Sequence, residues 1–519
     1  MFRGLWVFIV LGVGCASAPA PVVSVSPPPG DPHAALRSKL EDLEERAVAL
    51  ARAQDDALWK HFIAGAIIDL PALTRPFLSI PTRDSLETLR AARREKLKNP
   101  AALLALERFV AGQALALGLE ETTAATDTLE STLNYSVAGK AYAFRALDRT
   151  LAAEKSATRR RALWSSALGS TGPLLEMTLR AERQLQSVSA ALGFANPRDM
   201  EGLVGGVSVE SAQAIAEKTL AATDAAWTRL LLTQLKELVQ LPRESVTAAD
   251  FPRALASPEL ERLFTKASLV PRTLTVLGAL GLSPRPGLLV DLRDEAKKIP
   301  LPLTVALPGD TDVRVSVRPQ PGFKPLQLAF DALGRGAALA LVPETFNGER
   351  RFSPPLSVDA TGHLLAGLVR DPGWLLAVTS ERDAATRASN AACAEWLLRL
   401  RLMCAEVLIP TAPSDELAWE VWRSLVQRAM AVPISPLEAR LFWLRRGTLH
   451  ASARSLLAQV QGEDLRRSLR QRFGPSWWKE PQSGETLVAL LKASSPTTSP
   501  QIDEALWLNS CQGASPPTE

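Results

Sequence analysis

Residues that usually carry catalysis or bind metals are scarce in this chain. Its 519 residues include four histidines, four cysteines and two tyrosines. No two cysteines have the C-x-x-C spacing of thiolate metal sites and redox motifs. There is also no G-x-S-x-G nucleophile elbow and no phosphate-binding P-loop. The sequence therefore contains no complete motif for thiol–disulfide, serine-hydrolase or nucleoside-triphosphate chemistry.

Charge of one sign is not concentrated in any part of the chain. Lysine and arginine number 59 and aspartate and glutamate 55, which gives a formal net charge of +4. The run Arg159–Arg161 is short and is typical of a solvated helix face. Charge therefore predicts neither nucleic acid nor an anionic membrane surface as a partner.

The first apolar run is too short to cross a membrane. Arg3 precedes Leu5–Leu11, whereas a spanning helix needs about 20 apolar residues, so this run predicts the core of a signal peptide. Small residues then lead to Cys15, which resembles the lipid-attachment motif of bacterial lipoproteins. The resemblance implies export and a lipid anchor on Cys15 in the bacterial cell envelope. Gly12 stands where an aliphatic residue is usual, so a cleaved signal ending near Ala16–Ala20, with a soluble periplasmic or secreted product, is the alternative.

The spacing of apolar residues predicts a mainly α-helical chain. From Leu36 to about residue 280 they recur at intervals of three and four, as on one face of a helix. The exception lies around residues 287–320, where short apolar runs and the alternating pattern of Val313–Arg318 predict a small antiparallel sheet with a half-exposed strand. Four segments are predicted, namely a signal peptide, a proline-rich tether, an N-terminal helical lobe and a second lobe that carries the sheet: 1–15, 16–32, 33–283 and 284–519.

Three cysteines follow Cys15. Cys393 and Cys404 lie in an apolar helical stretch, where cysteine is usually a small buried hydrophobic residue. Cys511 lies near the end of the chain. Pairing of these three in disulfides stays open, because an exported protein meets an oxidising compartment.

Several segments occur in an order that resembles a known peptidase family. They are Arg183 to Phe194, Asp291-Leu292, Lys297-Lys298, Phe330 to Gly336, Leu356 to Asp359, Asp371 to Leu375, Phe473-Gly474 and Trp477-Trp478. Together they resemble the thimet oligopeptidase and oligoendopeptidase F-like zinc metallopeptidases, a gluzincin family. The resemblance implies a two-lobed helical fold with a central cleft, in which residues 284–519 form the lobe that is catalytic in the family.

The family binds zinc through an H-E-x-x-H helix and a third ligand from another helix. The matching segment here is Asp331-Ala332-Leu333-Gly334-Arg335, so Asp331 and Arg335 replace the histidines and Ala332 replaces the catalytic glutamate. The third ligand falls at Asp359 or Ala360. The family's C-terminal tyrosines also have no counterpart. The resemblance thus implies a degenerate member that has lost zinc and is not an enzyme.

Two hypotheses concern the replaced residues. Asp331 and Arg335 are four residues apart, with the acid first, so they can form an ion pair on one helix face; the alternative is that both face solvent in an open cleft. Asp331, Asp359 and His363 are weak candidates for a residual metal site. Arg335 argues against that site because it has no lone pair to donate.

The sequence leads to three functional hypotheses. The first is an inactive, peptidase-like lipoprotein whose former active-site cleft binds a peptide or a protein partner, with the peptide pairing along the edge of Val313–Arg318. The second is a helical scaffold or interaction lipoprotein with a closed cleft. The third is a metallopeptidase with altered ligands. Membrane contact is expected only through the lipid on Cys15, and the sequence makes no prediction of the oligomeric state.

Overall fold

The computed structural model describes residues 32–256, 258–307, 312–343, 348–409 and 415–493, together with 502 and 506. The predicted signal peptide, Cys15, all but the last residue of the tether, and Cys511 lie outside the described residues. Nothing in the structure therefore bears on the lipid anchor.

The fold is mainly α-helical, as the sequence predicts. Helices α1 to α12 are Ala34–Ala64, Leu70–Thr74, Arg83–Arg94, Pro100–Thr132, Leu147–Ala153, Ala157–Gly169, Gly172–Ala191, Pro197–Gly205, Val209–Gln234, Phe251–Ala254, Pro258–Leu263 and Lys266–Ala279. Helices α13 to α21 are Phe323–Leu341, Glu349–Phe352, Leu356–Ala366, Pro372–Thr379, Arg382–Leu408, Glu416–Met430, Pro436–Arg445, Leu449–Phe473 and Pro481–Ala493.

Side-chain caps fix where several of these helices begin. Ser435 and Glu438 form a capping box at the start of α19, where Pro436 occupies a position that needs no backbone donor. Asp371 accepts hydrogen bonds from the backbone N–H groups of Gly373 and Trp374 and so caps α16. These caps satisfy donors that the first turn of a helix leaves without partners.

Residues 288–316 form a three-stranded sheet at the predicted place. Its strands are β3, Leu288–Asp291, β4, Leu303–Leu307, and β5, Asp312–Ser316, in the order β3–β5–β4. β5 pairs with β4 in antiparallel and with β3 in parallel orientation, so the sheet is mixed and not antiparallel throughout. The prediction that Val313–Arg318 offers an exposed edge is wrong, because β5 is the middle strand.

A two-stranded hairpin that the sequence analysis missed precedes α5. β1, Asn134–Val137, and β2, Lys140–Ala143, pair in antiparallel orientation. Ala138 and Gly139 join them with φ of 51° and 77°. Two positive φ angles are typical of the tight turns that favour hairpins.

The three-stranded sheet lies between α13 and the end of α1. On one face, Val315 is fully buried against α13, where any side chain at Gly336 would collide with it. On the other face, the Arg314 guanidinium lies 5.7 Å from the ring centre of Trp59 in α1. Ile299, in the loop before β4, donates its backbone N–H to the Phe62 carbonyl at 2.9 Å. The sheet thus joins the first helix of the chain to the helix with the degenerate motif.

Buried hydrophobic residues form three core clusters. The clusters combine residues 135–254 with 393–506, residues 264–392 with 469–491, and residues 40–200 with Phe352. Each cluster draws side chains from both sides of residue 284. The hydrophobic core is therefore continuous across residue 284. The predicted division into segments 33–283 and 284–519 stays a prediction.

One described helix, α4, is long and apolar enough to cross a membrane by length and composition alone. Just over half, 56%, of its apolar window is buried inside the protein. Cys393 and Cys404 are buried in α17 as thiols, which confirms their interpretation as small hydrophobic residues.

Candidate functional site

Helix α13 carries the segment that corresponds to the zinc motif. Asp331 and Arg335 are one turn apart on a face that is partly open to solvent, with side chains 22% and 35% exposed. The Arg335 Nε lies 3.1 Å from Asp331 Oδ2. The ion pair expected from their spacing is confirmed, and the alternative in which both face solvent separately is wrong.

A second helix brings further charged groups to the same place. Asp359 and His363 lie one turn apart on α15, which packs along α13. Arg335 Nη1 lies 3.2 Å from Asp359 Oδ1, and His363 Nδ1 lies 3.5 Å from Asp331 Oδ1. Arg335 therefore bridges the two carboxylates, and α13 is joined to α15 through charged side chains.

Glycines allow these helices to approach closely. A Cβ at Gly362 would lie 2.7 Å from Arg335 Cγ and 2.8 Å from Asp331 Oδ1. A Cβ at Gly334 would lie 3.2 Å from the Gly362 Cα, and a Cβ at Gly462 of α20 would lie 2.8 Å from a backbone carbonyl of α15. Contacts this short leave no room for a methyl group. Glycine at these positions therefore lets the helices approach closely enough for their charged side chains to meet.

Arg454 of α20 completes the group, which we call the charge cluster: Asp331, Arg335, Asp359, His363 and Arg454. Its Nε lies 2.6 Å from Asp359 Oδ2, and its Nη2 donates to the Pro354 carbonyl at 2.7 Å. Sequence reasoning missed Arg454. No local motif could have found it, because 95 residues separate it from Asp359.

The cluster is balanced in charge. Burial opposes ionisation of Asp359, but the cations Arg335 and Arg454 outweigh it and hold the pKa of that carboxyl below its usual value. Burial likewise opposes the charge of Arg335, and the two carboxylates outweigh it and raise its pKa. Burial lowers the pKa of His363, which leaves the imidazole neutral at pH 7 because an unperturbed histidine titrates near ~6.5. Two anions thus face two cations.

The chemistry of these donors does not fit zinc. Zinc requires lone-pair donors that converge on one point, yet the guanidinium of Arg335 contacts both carboxylates and Ala332 offers no side-chain donor. Across the part of the chain that the structure describes, no group of three or more histidine, cysteine, aspartate or glutamate side chains is placed to hold a metal ion. The weak candidates Asp331, Asp359 and His363 do not form such a group.

A buried ionic network lies behind the cluster. Glu463 of α20 pairs with Arg370 and, at 3.0 Å, with Arg466. Arg470 donates a hydrogen bond at 3.2 Å to Asp371, which caps α16. Arg370, Asp371, Glu463 and Arg466 are each at most 3% exposed. Buried charges persist only when they are paired, so this network fixes α20 against the helices that hold the cluster.

Comparisons with known proteins identify the fold and nothing finer. No family model and no curated protein sequence matches the chain. A solved structure from Bacillus anthracis str. Ames, described as an oligoendopeptidase F, matches with a TM-score of 0.56 and 11% identity over 91% of this chain and 94% of its own. A second oligoendopeptidase F structure matches with a TM-score of 0.55 and 12% identity, over 93% and 89%. PZ peptidase A with an inhibitor matches with a TM-score of 0.55 and 10% identity, over 92% and 93%.

These matches correct one prediction. The expectation that the chain is not an enzyme is wrong, because solved structures that share its fold are described as oligoendopeptidases and as a PZ peptidase, which are enzymes. Replacement of H-E-x-x-H by Asp331-Ala332-Leu333-Gly334-Arg335 removes one set of zinc ligands and does not show that activity is absent. The chain has the fold of the oligoendopeptidase F-like peptidases.

Proposed function

We propose that this protein binds extended peptides along the outer edge of β4, beside the charge cluster. The observation that carries the proposal is that β4 is an edge strand. Its inner side pairs with β5, and its other side makes no backbone hydrogen bond within the described residues. An extended peptide that joins such an edge satisfies these N–H and C=O groups through main-chain hydrogen bonds.

The contact of β4 with α13 favours the β4 edge of the sheet over the β3 edge as the peptide-binding edge. Thr304 Oγ1 donates to the Ala332 carbonyl at 3.0 Å, so β4 runs past the turn of α13 that carries Asp331 and Arg335. β3, at the other edge, ends at Asp291, whose carbonyl and carboxylate are both occupied by Lys298, at 2.9 and 3.1 Å. A peptide on β4 would therefore lie next to the charge cluster, and one on β3 would not.

The charge cluster gives the proposed site its polar character. The Arg335 side chain is 35% exposed and that of Arg454 22%, so both side chains are partly accessible to solvent. Guanidinium groups donate several hydrogen bonds in a fixed plane. They are suited to peptide carbonyls and carboxylates that approach along β4.

We also propose that the protein is exported and held at the bacterial envelope through a lipid on Cys15. The support is the short apolar run and the small residues before Cys15 in the sequence. A soluble periplasmic or secreted form is the alternative, in which cleavage falls near Ala16–Ala20.

Fluorescence anisotropy with labelled libraries of short unstructured peptides tests the binding proposal. The decisive variant is Leu303→Lys, because Leu303 is a half-buried residue of β4 and a flexible charge there interferes with an added strand. The matched control is Leu289→Lys on β3, where Leu289 is 51% exposed. We expect Leu303→Lys to weaken binding about tenfold or more, and Leu289→Lys to change it less than about twofold.

The same samples are analysed for cleavage of the peptide. Cleavage is scored as binding, because the protein must bind a peptide before it can cut it. Equal effects of the two lysine variants would contradict binding at β4. If no peptide binds the unaltered protein, the proposal is overturned, and the helical scaffold with a closed cleft becomes the better account.

A further inference from the structure

Arg108 of α4 lies close to the charge cluster, and its guanidinium contacts Ser353 and Gly206. Its Nη1 donates to the hydroxyl of Ser353, immediately after α14. On the other side its guanidinium lies against Gly206, where an added Cβ would be 2.9 Å from Arg108 Cζ. Gly206 has a φ of 64° and ends α8. The lack of a side chain there is what leaves room for the guanidinium.

Arg454 bridges the same two stretches of chain. It donates to the Gly205 carbonyl at 3.3 Å and to the Pro354 carbonyl at 2.7 Å, which are the neighbours of Gly206 and Ser353. The two guanidiniums therefore lie side by side. Burial lowers the pKa of Arg108, and the cation Arg454 lowers it further.

Among the described residues, only one of these two cations has an acidic partner. Arg454 pairs with Asp359 at 2.6 Å. No carboxylate of a described residue lies within 4.0 Å of the Arg108 guanidinium. The carboxylate of the neighbouring residue Glu107 attracts the Arg108 guanidinium electrostatically. This carboxylate forms its ion pair with Arg93, at 3.2 Å.

The Arg108 Nε also lacks a hydrogen-bond partner among the described residues. This nitrogen is buried. A half-buried cation with an unused N–H group, next to a second cation, is unfavourable unless an anion binds there. A carboxylate suits the fork of a guanidinium, which can donate to both of its oxygens.

We infer that Arg108 and Arg454 bind the C-terminal carboxylate of the peptide that lies along β4, an inference that rests on the proposed function. Helix α14 connects the two places, because it contacts both β4 and α4. Phe352 of α14 packs on Phe109, the neighbour of Arg108, with ring centres 4.7 Å apart. A peptide on β4 that extends past α14 would reach Arg108 with its end.

Two forms of one peptide test the inference: one with a free C-terminal carboxylate and one with a C-terminal amide. Affinities of both for the unaltered full-length protein are measured by calorimetry. A charge-assisted hydrogen bond to the carboxylate corresponds to a preference for the acid of about tenfold to a hundredfold.

Arg108→Gln should greatly reduce this preference, because glutamine carries no charge and only Arg454, already paired with Asp359, remains to meet the carboxylate. A thermal unfolding midpoint close to that of the unaltered protein shows that the variant is folded. The matched control is Arg229→Gln, an exposed arginine on α9, which should keep the full preference.

Equal affinity of the unaltered protein for both forms would overturn the inference and leave peptide binding in place. A preference of undiminished size in Arg108→Gln would also overturn it. If neither form binds, the proposed function and the inference both fail.

Discussion

Arg335 on α13 contacts Asp359 on α15 with 3.2 Å between Nη1 and Oδ1. This contact joins the two helices that supply the zinc ligands in the family that the sequence resembles. Through Asp359 the connection continues to Arg454 on α20. Three helices are thus held by alternating charges at one partly exposed surface.

Removal of the central cation should destabilise the fold. Arg335→Ala leaves Asp331 and Asp359 near each other without the guanidinium between them. We expect a loss of about 1 to 2 kcal/mol in the free energy of unfolding, reduced by the partial exposure of Arg335. Urea denaturation measures it, with Arg229→Ala as the exposed control. A change no larger than that of the control would show that the pair does not stabilise the protein.

A methyl group at the crossing of α13 and α15 should separate these helices. Gly362→Ala places a Cβ 2.7 Å from Arg335 Cγ and 2.9 Å from the Asp331 carbonyl, so the helices must shift. Overpacking of this kind costs about 1 to 3 kcal/mol. Gly169→Ala is the matched control, since a Cβ there meets nothing within 4 Å. Thermal unfolding should show a lower midpoint for the first variant only; equal midpoints would refute the close packing.

The position of β5 illustrates what could and could not be predicted. Alternation of Val313, Val315 and Val317 with polar residues locates a strand, because side chains of a strand point to opposite faces in turn. Alternation does not reveal how many neighbours the strand has. The parallel partner β3 lies more than twenty residues earlier, and its pairing depends on α13 and α1, which cover the two faces of the sheet.

The contacts of the charge cluster were likewise only partly predictable from the sequence. The pair Asp331–Arg335 follows from the geometry of a single helix. The partners Arg454 and Asp359 are 95 residues apart, and Arg108 and Ser353 are 245 apart. Packing of α4, α8, α15 and α20 brings these residues together, so no window of the sequence contains their relationship.

Glu406 should make the stability of the protein depend on pH. Burial raises the pKa of this carboxyl to about 6, although Ser452 and the Gly447 N–H donate hydrogen bonds to it. An unfolded glutamate titrates near ~4.3, so the folded state binds the proton more tightly. The stabilisation is fully present below pH ~4 and is lost as the pH rises through about 6.

Glu406→Gln should remove this loss. Urea unfolding of the variant should show a smaller decline in stability between pH ~4 and ~7 than the unaltered protein, by about 1 to 2 kcal/mol. Asp464→Asn, at a residue that pairs with Arg467 on the same helix, serves as the control. An unchanged pH dependence in Glu406→Gln would contradict the buried, protonated carboxyl.

The proposed lipid anchor on Cys15 predicts a chemical modification. Cells that express the protein and receive labelled palmitate should incorporate the label, and the protein should partition into the membrane fraction. Cys15→Ser should abolish both, because the lipid is attached to the thiol. Labelling that persists in Cys15→Ser would place the lipid elsewhere. A soluble, unlabelled and shortened protein would favour cleavage near Ala16–Ala20.

Hydrogen exchange in the presence of a bound peptide tests peptide binding at β4 most directly. Main-chain hydrogen bonds to an added strand should slow exchange of backbone amides within Leu303–Leu307, measured by mass spectrometry with and without the peptide. The matched segment is Leu288–Asp291, the opposite edge strand, where exchange should stay the same. Protection confined to β4 is the result that this account predicts. Protection at β3, or protection at neither edge while the peptide is bound, would contradict it.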